Sequence, residues 1–348
     1  NQALACLKIV MQLKLKSEKD PEDVSVSQPK DPVPVFYDVE VFKNRLIICY
    51  KKAGTATVSR MIDPSPQEVE RLIRLPLVGF NNRKYDNHII YGRMMGMNNE
   101  ELYNLSQRII SNDKSAPFAA AYGISYTDIY DYSSKKQSLK KWQVELHIRH
   151  KELGHPWEEP LPDEKLEEAV DYCCNDVDST EAVWNATQSD FRARQILAAI
   201  SGLSVNDKTQ KHTSRILFKG DRNHKQEFQY TDLSEMFPGY KYDFGKSTYK
   251  GIEVGEGGYV YAEPGAYRNV ALIDVESMHP TSAINMNLFG KYTKNYEDLL
   301  QARLAIKHGD FQAAREMLDG KLKPYLTDES TAKELSYALK IVINIVYG

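Results

Sequence analysis

The run Val35-Phe36-Tyr37-Asp38-Val39-Glu40-Val41 constrains this chain more than any other stretch. It reads as a buried strand carrying two carboxylates. Side chains alternate between faces along a strand, so Asp38 and Glu40 share one face while Tyr37, Val39 and Val41 share the other. Two neighbouring carboxylates taken out of water repel each other and lose their hydration. A divalent cation between them relieves both costs, and paired oxygens suit Mg²⁺ or Mn²⁺. An Asp-x-Glu pair alone is more often an edge strand with solvated acids. The segments that follow weigh against that alternative.

The chain has 348 residues, enough for two cores. Its hydrophobic content of 42% and charged content of 27% are those of an ordinary soluble protein. No apolar run approaches a membrane span, and the opening NQALACLKIVMQLKLKSEKD lacks a signal-peptide cleavage site. The absence of an initiator Met is what a fragment would show. Cys6, Cys49, Cys173 and Cys174 have no zinc spacing, so reduced thiols in a cytoplasm are expected. A net charge of −3 advertises no basic face for nucleic acid. Metal-holding carboxylates nevertheless count as negative until the ions bind.

The expected organisation is a peripheral extension or linker over 1–32, a first domain over 33–195 and a second over 196–348. In the first domain the pattern predicts further strands over 45–51 and 55–61, a helix over 66–75, a short buried strand over 77–80, a helix over 85–95 and a strand over 124–130. A long helix over 164–187 carries an apolar stripe at Leu166, Val170, Cys173, Val177, Thr180 and Trp184. Strands followed by helix–strand alternation predict an α/β fold with a mixed sheet flanked by helices. In the second domain a strand over 270–274 and a helix over 332–347 are expected.

Two segments complement Asp38 and Glu40. In Gly79-Phe80-Asn81-Asn82-Arg83-Lys84-Tyr85-Asp86, a strand leads through a polar turn to a helix start, where the dipole favours Asp86. In Tyr172-Cys173-Cys174-Asn175-Asp176, Tyr172 and Asp176 share a helix face. Four carboxylates and a phenol are what two-metal phosphodiester hydrolysis requires: one ion activates water and the other stabilises the leaving oxygen. Asp38 and Asp176 are the main candidate ligands, Glu40 stands beside them, and Asp86 acts partly through water. Tyr172 is the candidate for orienting the water, and Asn82 for touching the substrate strand. Asp128 is a possible outer group or a strand-end hydrogen-bond acceptor. His88 and His155 read as structural.

These three segments, in this order, resemble the motifs of the DEDDy 3′–5′ exonucleases, the proofreading type found in family B DNA polymerases of bacteriophage kind. The resemblance spans roughly 33–190. It implies an RNase H-like domain, two Mg²⁺ or Mn²⁺ ions, and a single-stranded DNA 3′ end as substrate. Ser138-Leu139-Lys140-Lys141 also resembles a segment of phage polymerases, where a Lys meets phosphate; a solvated face reads equally well.

The second half extends the resemblance. Asp274-Val275-Glu276-Ser277-Met278-His279-Pro280-Thr281 is similar to polymerase motif A, and Lys340 to Gly348 is similar to motif B. The resemblance implies that Asp274 holds catalytic metal, that Ser277, Met278 and His279 lie near the incoming nucleotide, and that Lys340, Asn344 and Tyr347 face its phosphates, base and sugar. His279 stands where the family usually has Tyr, and Ile345 where it usually has Ser. Gly257 and Gly258 resemble a loop that tracks template DNA, and a hairpin turn fits them as well. Arg303 and Lys307, four apart, extend the basic set. The second palm carboxylate of the family is not found before Gly348, so the resemblance implies a partial α+β palm and fingers region. The remainder of a split polymerase is then a partner, beside primer-template DNA and dNTPs, in a host bacterial cytoplasm with no membrane. Only 66 positions (340 − 274) separate Asp274 from Lys340, which favours a nucleic-acid primer. A free-standing exonuclease on DNA or RNA, and a non-catalytic nucleic-acid-binding module, are the competing readings.

Overall fold

The computed structural model describes residues 32–229, 232–243, 246–254, 262–273 and 277–346. The fold is mixed α/β, in two compact units, 1–209 and 210–348. The boundary falls later than the 195/196 expected from sequence. Buried Arg194 explains the shift: its guanidinium donates to the carbonyl oxygens of Asp131, Val205 and Asp207 and to Thr209 Oγ1, tying the segment after residue 195 to the first unit.

The first unit is built on one sheet of β1 (Val35–Val41), β2 (Leu46–Lys52), β3 (Ser59–Ile62), β4 (Leu77–Gly79) and β5 (Thr127–Asp128), ordered β3-β2-β1-β4-β5. β1 with β2 and β2 with β3 pair antiparallel, across connections of four (42–45) and six (53–58) residues, short enough for hairpins. β4 and β5 are parallel to β1 and need crossovers. Helix α1 (Pro66–Leu72) supplies the first, opened by a reciprocal Ser65/Glu68 capping box with Pro66 in its first turn. Helices α2 (Asp86–Met94) and α3 (Asn99–Ile110) lie in the second. Helices α4 (Leu139–Glu145), α5 (Leu166–Ala186) and α6 (Gln188–Ser201) follow.

The alternation read in β1 is observed. Tyr37, Val39 and Val41 enter a core with Ile89 and Ile90 of α2 and Leu102 of α3. Phe36, on the face of Asp38 and Glu40, packs with Ile47, Cys49 and Val78 against Val170, Cys173 and Val177 of α5. That is the stripe anticipated on the long helix. Lys51 Nζ, 2.7 Å from both Asp178 Oδ1 and Glu181 Oε2, pins the helix to β2.

Three expectations are corrected. The third strand lies at 59–62 rather than 55–61. The strand expected over 124–130 is only Thr127–Asp128, because the Asp128 carboxylate accepts the Tyr130 N–H and starts a helical turn, Ile129–Tyr132. Residues 270–273 form no strand: Val270, Leu272 and Ile273 are 72%, 94% and 88% exposed, and no described segment pairs with them. A strand without a neighbour leaves its backbone groups to water.

The second unit has a small antiparallel sheet of β6 (Tyr240–Asp243), β7 (Lys246–Tyr249) and β8 (Ile252–Glu253). Its longer helices are α7 (Thr209–Leu217), which begins at the unit boundary, then α8 (Met278–Asn285), α9 (Thr293–Lys307) and α10 (Glu329–Ile345). Tyr296 is fully buried, and its hydroxyl donates to the Ile343 carbonyl 3.0 Å away, locking α9 to α10. Asp328 caps α10 by accepting the N–H groups of Ser330 and Thr331.

Gly79, the last residue of β4, is where the chain turns toward α2. A Cβ there would sit 2.7 Å from Asn82 Cβ. Gly79→Ala is therefore expected to cost about 1–3 kcal/mol of stability in urea unfolding, the range for overpacking a closed site. An unchanged midpoint would show that the turn yields freely.

Candidate metal centre

Three segments deliver the acidic side chains. β1 carries Asp38 and Glu40, the start of α2 carries Asp86, and α5 carries Asp176. Asp38 and Glu40 keep some solvent exposure, Asp86 is buried, and Asp176 is half-buried. Their electrostatics tie them into one group. Loss of hydration raises Asp38 well above the usual carboxylate range, and the charges of Asp86 and Asp176 push it the same way. Glu40 is raised likewise, by burial first and then by Asp38, Asp176 and Asp86. Asp86 is pushed up to about 7 by burial, with Asp128 and Asp176 adding to it, while its own N–H and that of Val39 hold it down. That Val39 contact joins α2 to the acidic strand. Burial also raises Asp176, opposed by hydrogen bonds from Gln143 and Tyr172.

Tyr172 sits one helical turn before Asp176. Burial, then Asp176, Glu40 and Asp38, push its phenol up, so it remains a neutral donor beside the carboxylates. Its ring meets Trp157 edge-on at 6.0 Å. Of the residues chosen from sequence, Asp38 and Glu40 are held close together, and Asp86, Tyr172 and Asp176 lie near enough for their charges or hydrogen bonds to be felt.

Asn82 is not where a DNA contact requires. It is fully buried, and its amide donates to Asn87 Oδ1 at 3.0 Å, an oxygen that also accepts from the Tyr37 hydroxyl. It fastens the turn before α2. Asp128 accepts N–H bonds from Asn81, Arg83 and Tyr130, as a strand-end acceptor does, and burial pushes it up to about 6. Ser138 caps α4, and Lys140 pairs with Glu152 at 2.8 Å. His88 is buried, accepts the Phe118 N–H and is lowered by burial, as a structural histidine should be.

Two members of the site escaped the sequence reading. Cys173, counted only as part of an apolar stripe, places Sγ so that it and one oxygen each of Asp38 and Glu40 lie within 4.8 Å of one another. That donor set can hold a metal ion. Gln143 is buried and donates from Nε2 to Asp176 Oδ1 at 2.8 Å and to Ser179 Oγ at 2.9 Å, while its Oε1 is 2.7 Å from His150 Nδ1. It fixes which way Asp176 points. The only sequence signal for Cys173 is its place between Tyr172 and Asp176; Gln143 has none.

In the second unit, Ser277, Met278, His279, Lys340 and Asn344 line one cavity of about 220 Å³, with Pro280, Ile343 and Arg303. Arg303 Nε is buried there without a hydrogen-bond partner, and Lys340 forms no ion pair among the described residues. Arg303 and Lys340 give this lining positive charge, as an anion pocket has. Lys307 is not part of this lining. Asp274, Tyr347, Gly257 and Gly258 lie outside the described residues.

No protein-family model matches the chain, and no curated protein matches its sequence. Among the described residues no helix is long and apolar enough to cross a membrane.

The raised carboxyls set a pH dependence. The folded protein holds the Asp86 proton up to about 7, whereas an unfolded aspartate releases it near 3.9. Between those values the folded state binds more protons than the unfolded state, so metal-free stability falls as pH rises through this window. Asp86→Asn is expected to flatten that slope in thermal melts. Mn²⁺ should raise Tm more at pH 8 than at pH 5, since it replaces the proton as the neutralising charge. Equal shifts at both pH values would contradict the shared site.

Proposed function

We propose that this chain is a metal-dependent 3′–5′ exonuclease of the DEDDy type, with an RNase H-like first unit, joined to the partial palm and fingers of a family B DNA polymerase. The observation that carries the reading is that Asp38 and Glu40 of β1 lie close enough to feel the charges of Asp86 on α2 and Asp176 on α5, with the Tyr172 phenol hydrogen-bonded to Asp176. The sheet order, with the acidic strand flanked by an antiparallel neighbour on one side and a parallel one on the other, is compatible with that fold.

In this reading Asp38, Glu40 and Asp176 hold two Mg²⁺ or Mn²⁺ ions, and Asp86 closes the site from α2. When bound, such ions lower the pKa of an attacking water and neutralise the leaving oxygen. The chain's own groups do the remaining work. Gln143 holds Asp176 in one orientation. Tyr172, kept neutral by burial and by its acidic neighbours, has a hydroxyl beside Asp176 where it can orient a water. The substrate is a single-stranded DNA 3′ terminus.

The anion pocket supports the polymerase half of the reading. Lys340 and Arg303 would take phosphates of an incoming dNTP, with Ser277, Met278, His279 and Asn344 around it and with Asp274 and Tyr347 in the roles the resemblance gives them. Primer-template DNA and the remainder of a split polymerase are the other partners, in a host bacterial cytoplasm. The free-standing exonuclease on DNA or RNA is the second reading. It is favoured by the first unit alone carrying the whole acidic set.

Asp38→Ala with Glu40→Ala is expected to lower Mg²⁺-dependent release of nucleotides from a labelled 3′ end by on the order of 10³-fold, with circular dichroism unchanged. Undiminished release would remove the site. Lys340→Ala with Arg303→Ala is expected to weaken dNTP binding about tenfold or more, the value of a hydrogen bond to a charged group, and to leave the nuclease intact. A chain that degrades DNA but binds no dNTP would favour the second reading.

A further inference from the structure

The oxygen donors of the acidic cluster have a sulfur among them. Cys173 is fully buried on the sheet-facing side of α5, three residues before Asp176. Its Sγ lies 3.7 Å from Asp38 Oδ2 and 3.5 Å from the Asp38 carbonyl oxygen. One ligand atom from each of Asp38, Glu40 and Cys173 lies within 4.8 Å of the other two. Burial, and then the charges of Asp38 and Glu40, push the thiol up, so it rests as S–H donating toward Asp38.

Magnesium gains little from such a neighbour, because hard cations select oxygen. Zinc and its softer relatives behave in the opposite way. Tetrahedral zinc binds thiolate at about 2.3 Å and carboxylate at about 2.0–2.2 Å. Two such bonds at the tetrahedral angle hold sulfur and oxygen about 3.6 Å apart. The fold already sets nearly that separation between Cys173 and Asp38. The packing that fixes it is the same packing that brings α5 to β1, with Val170 and Val177 on either side of Cys173.

We propose that Asp38, Glu40 and Cys173 form a mixed oxygen–sulfur site for a thiophilic divalent cation of the zinc and cadmium class, overlapping the oxygen site and excluding Mg²⁺ or Mn²⁺ from it. The exclusion rests on the metal-centre reading above; the binding needs only the three donors. On binding, the Cys173 S–H bond is exchanged for a sulfur–metal bond and the proton passes to solvent. A nuclease so built is active with hard cations and silenced by soft ones.

The test is a titration of the metal-free chain with Cd²⁺, followed by the ultraviolet cadmium–thiolate charge-transfer band, with Mn²⁺ binding followed separately by electron paramagnetic resonance. The expected result is a saturable band and release of bound Mn²⁺ as Cd²⁺ is added. Cys173→Ser should weaken Cd²⁺ binding about tenfold or more and remove the band, with Mn²⁺ affinity changed less than about twofold. Cys174→Ser, whose thiol faces Cys49 at 3.6 Å rather than the carboxylates, should keep the band. If Cys173→Ser does not fold, Cys173→Ala gives the same readings without adding a hydroxyl. A band that survives loss of the Cys173 sulfur overturns the proposal, and so does Cd²⁺ affinity indifferent to Asp38→Asn. Cd²⁺ binding as expected in a chain that takes up no Mn²⁺ would keep the three-donor site and defeat the magnesium reading.

Discussion

The repulsion among Asp38, Glu40, Asp86 and Asp176 is the force the first unit is arranged to contain. Each group is raised by lost hydration, and Asp38, Glu40 and Asp86 are raised further by the charge of at least one of the others. A chain free to relax would swing these side chains apart into water. This one cannot. β1 is hydrogen-bonded along its length, with Asp38 opposite Cys49 and Glu40 opposite Ile47. α5 is held by its apolar stripe and by Lys51 between Asp178 and Glu181. Asp86 is fixed by the first turn of α2 and by the Val39 N–H. Stability is spent to keep like charges near one another, and positive charge supplied from outside is what the arrangement lacks.

The two candidate sites carry opposite signs. The first unit presents carboxylates that need cations. The second presents Arg303 and Lys340, cations without carboxylate partners among the described residues, in the lining of one cavity. Such a division is hidden in the net charge of −3. The charge sum conceals a local surplus of acid and a local surplus of base.

Much of this was legible because it is periodic. Alternation along β1 separated Asp38 and Glu40 from Tyr37, Val39 and Val41, and the three-and-four spacing of α5 put Tyr172 beside Asp176. What periodicity cannot express is contact between distant segments. Gln143 reaches Asp176 across 33 positions, and nothing local to Gln143 announces it. Cys173 looked like core, and it is core on one side while its sulfur meets Asp38 on the other. Asn82 looked like a polar turn residue free for substrate, yet its amide is needed inside to fasten Asn87. Helix α3 was legible and passed over: Asn98 and Glu101 form a capping box ahead of Leu102 and Leu105. Residues 270–273 have the composition of a strand, but composition cannot supply the neighbour a strand needs.

The most direct test of the central claim is diffraction from crystals of this chain soaked in Mn²⁺, with anomalous scattering used to locate the ions. The expected result is manganese density between the carboxyl groups of Asp38, Glu40 and Asp176, with Asp86 turned toward it. Crystals that take up manganese only elsewhere, leaving those carboxyls bonded to one another through shared protons, would contradict the account.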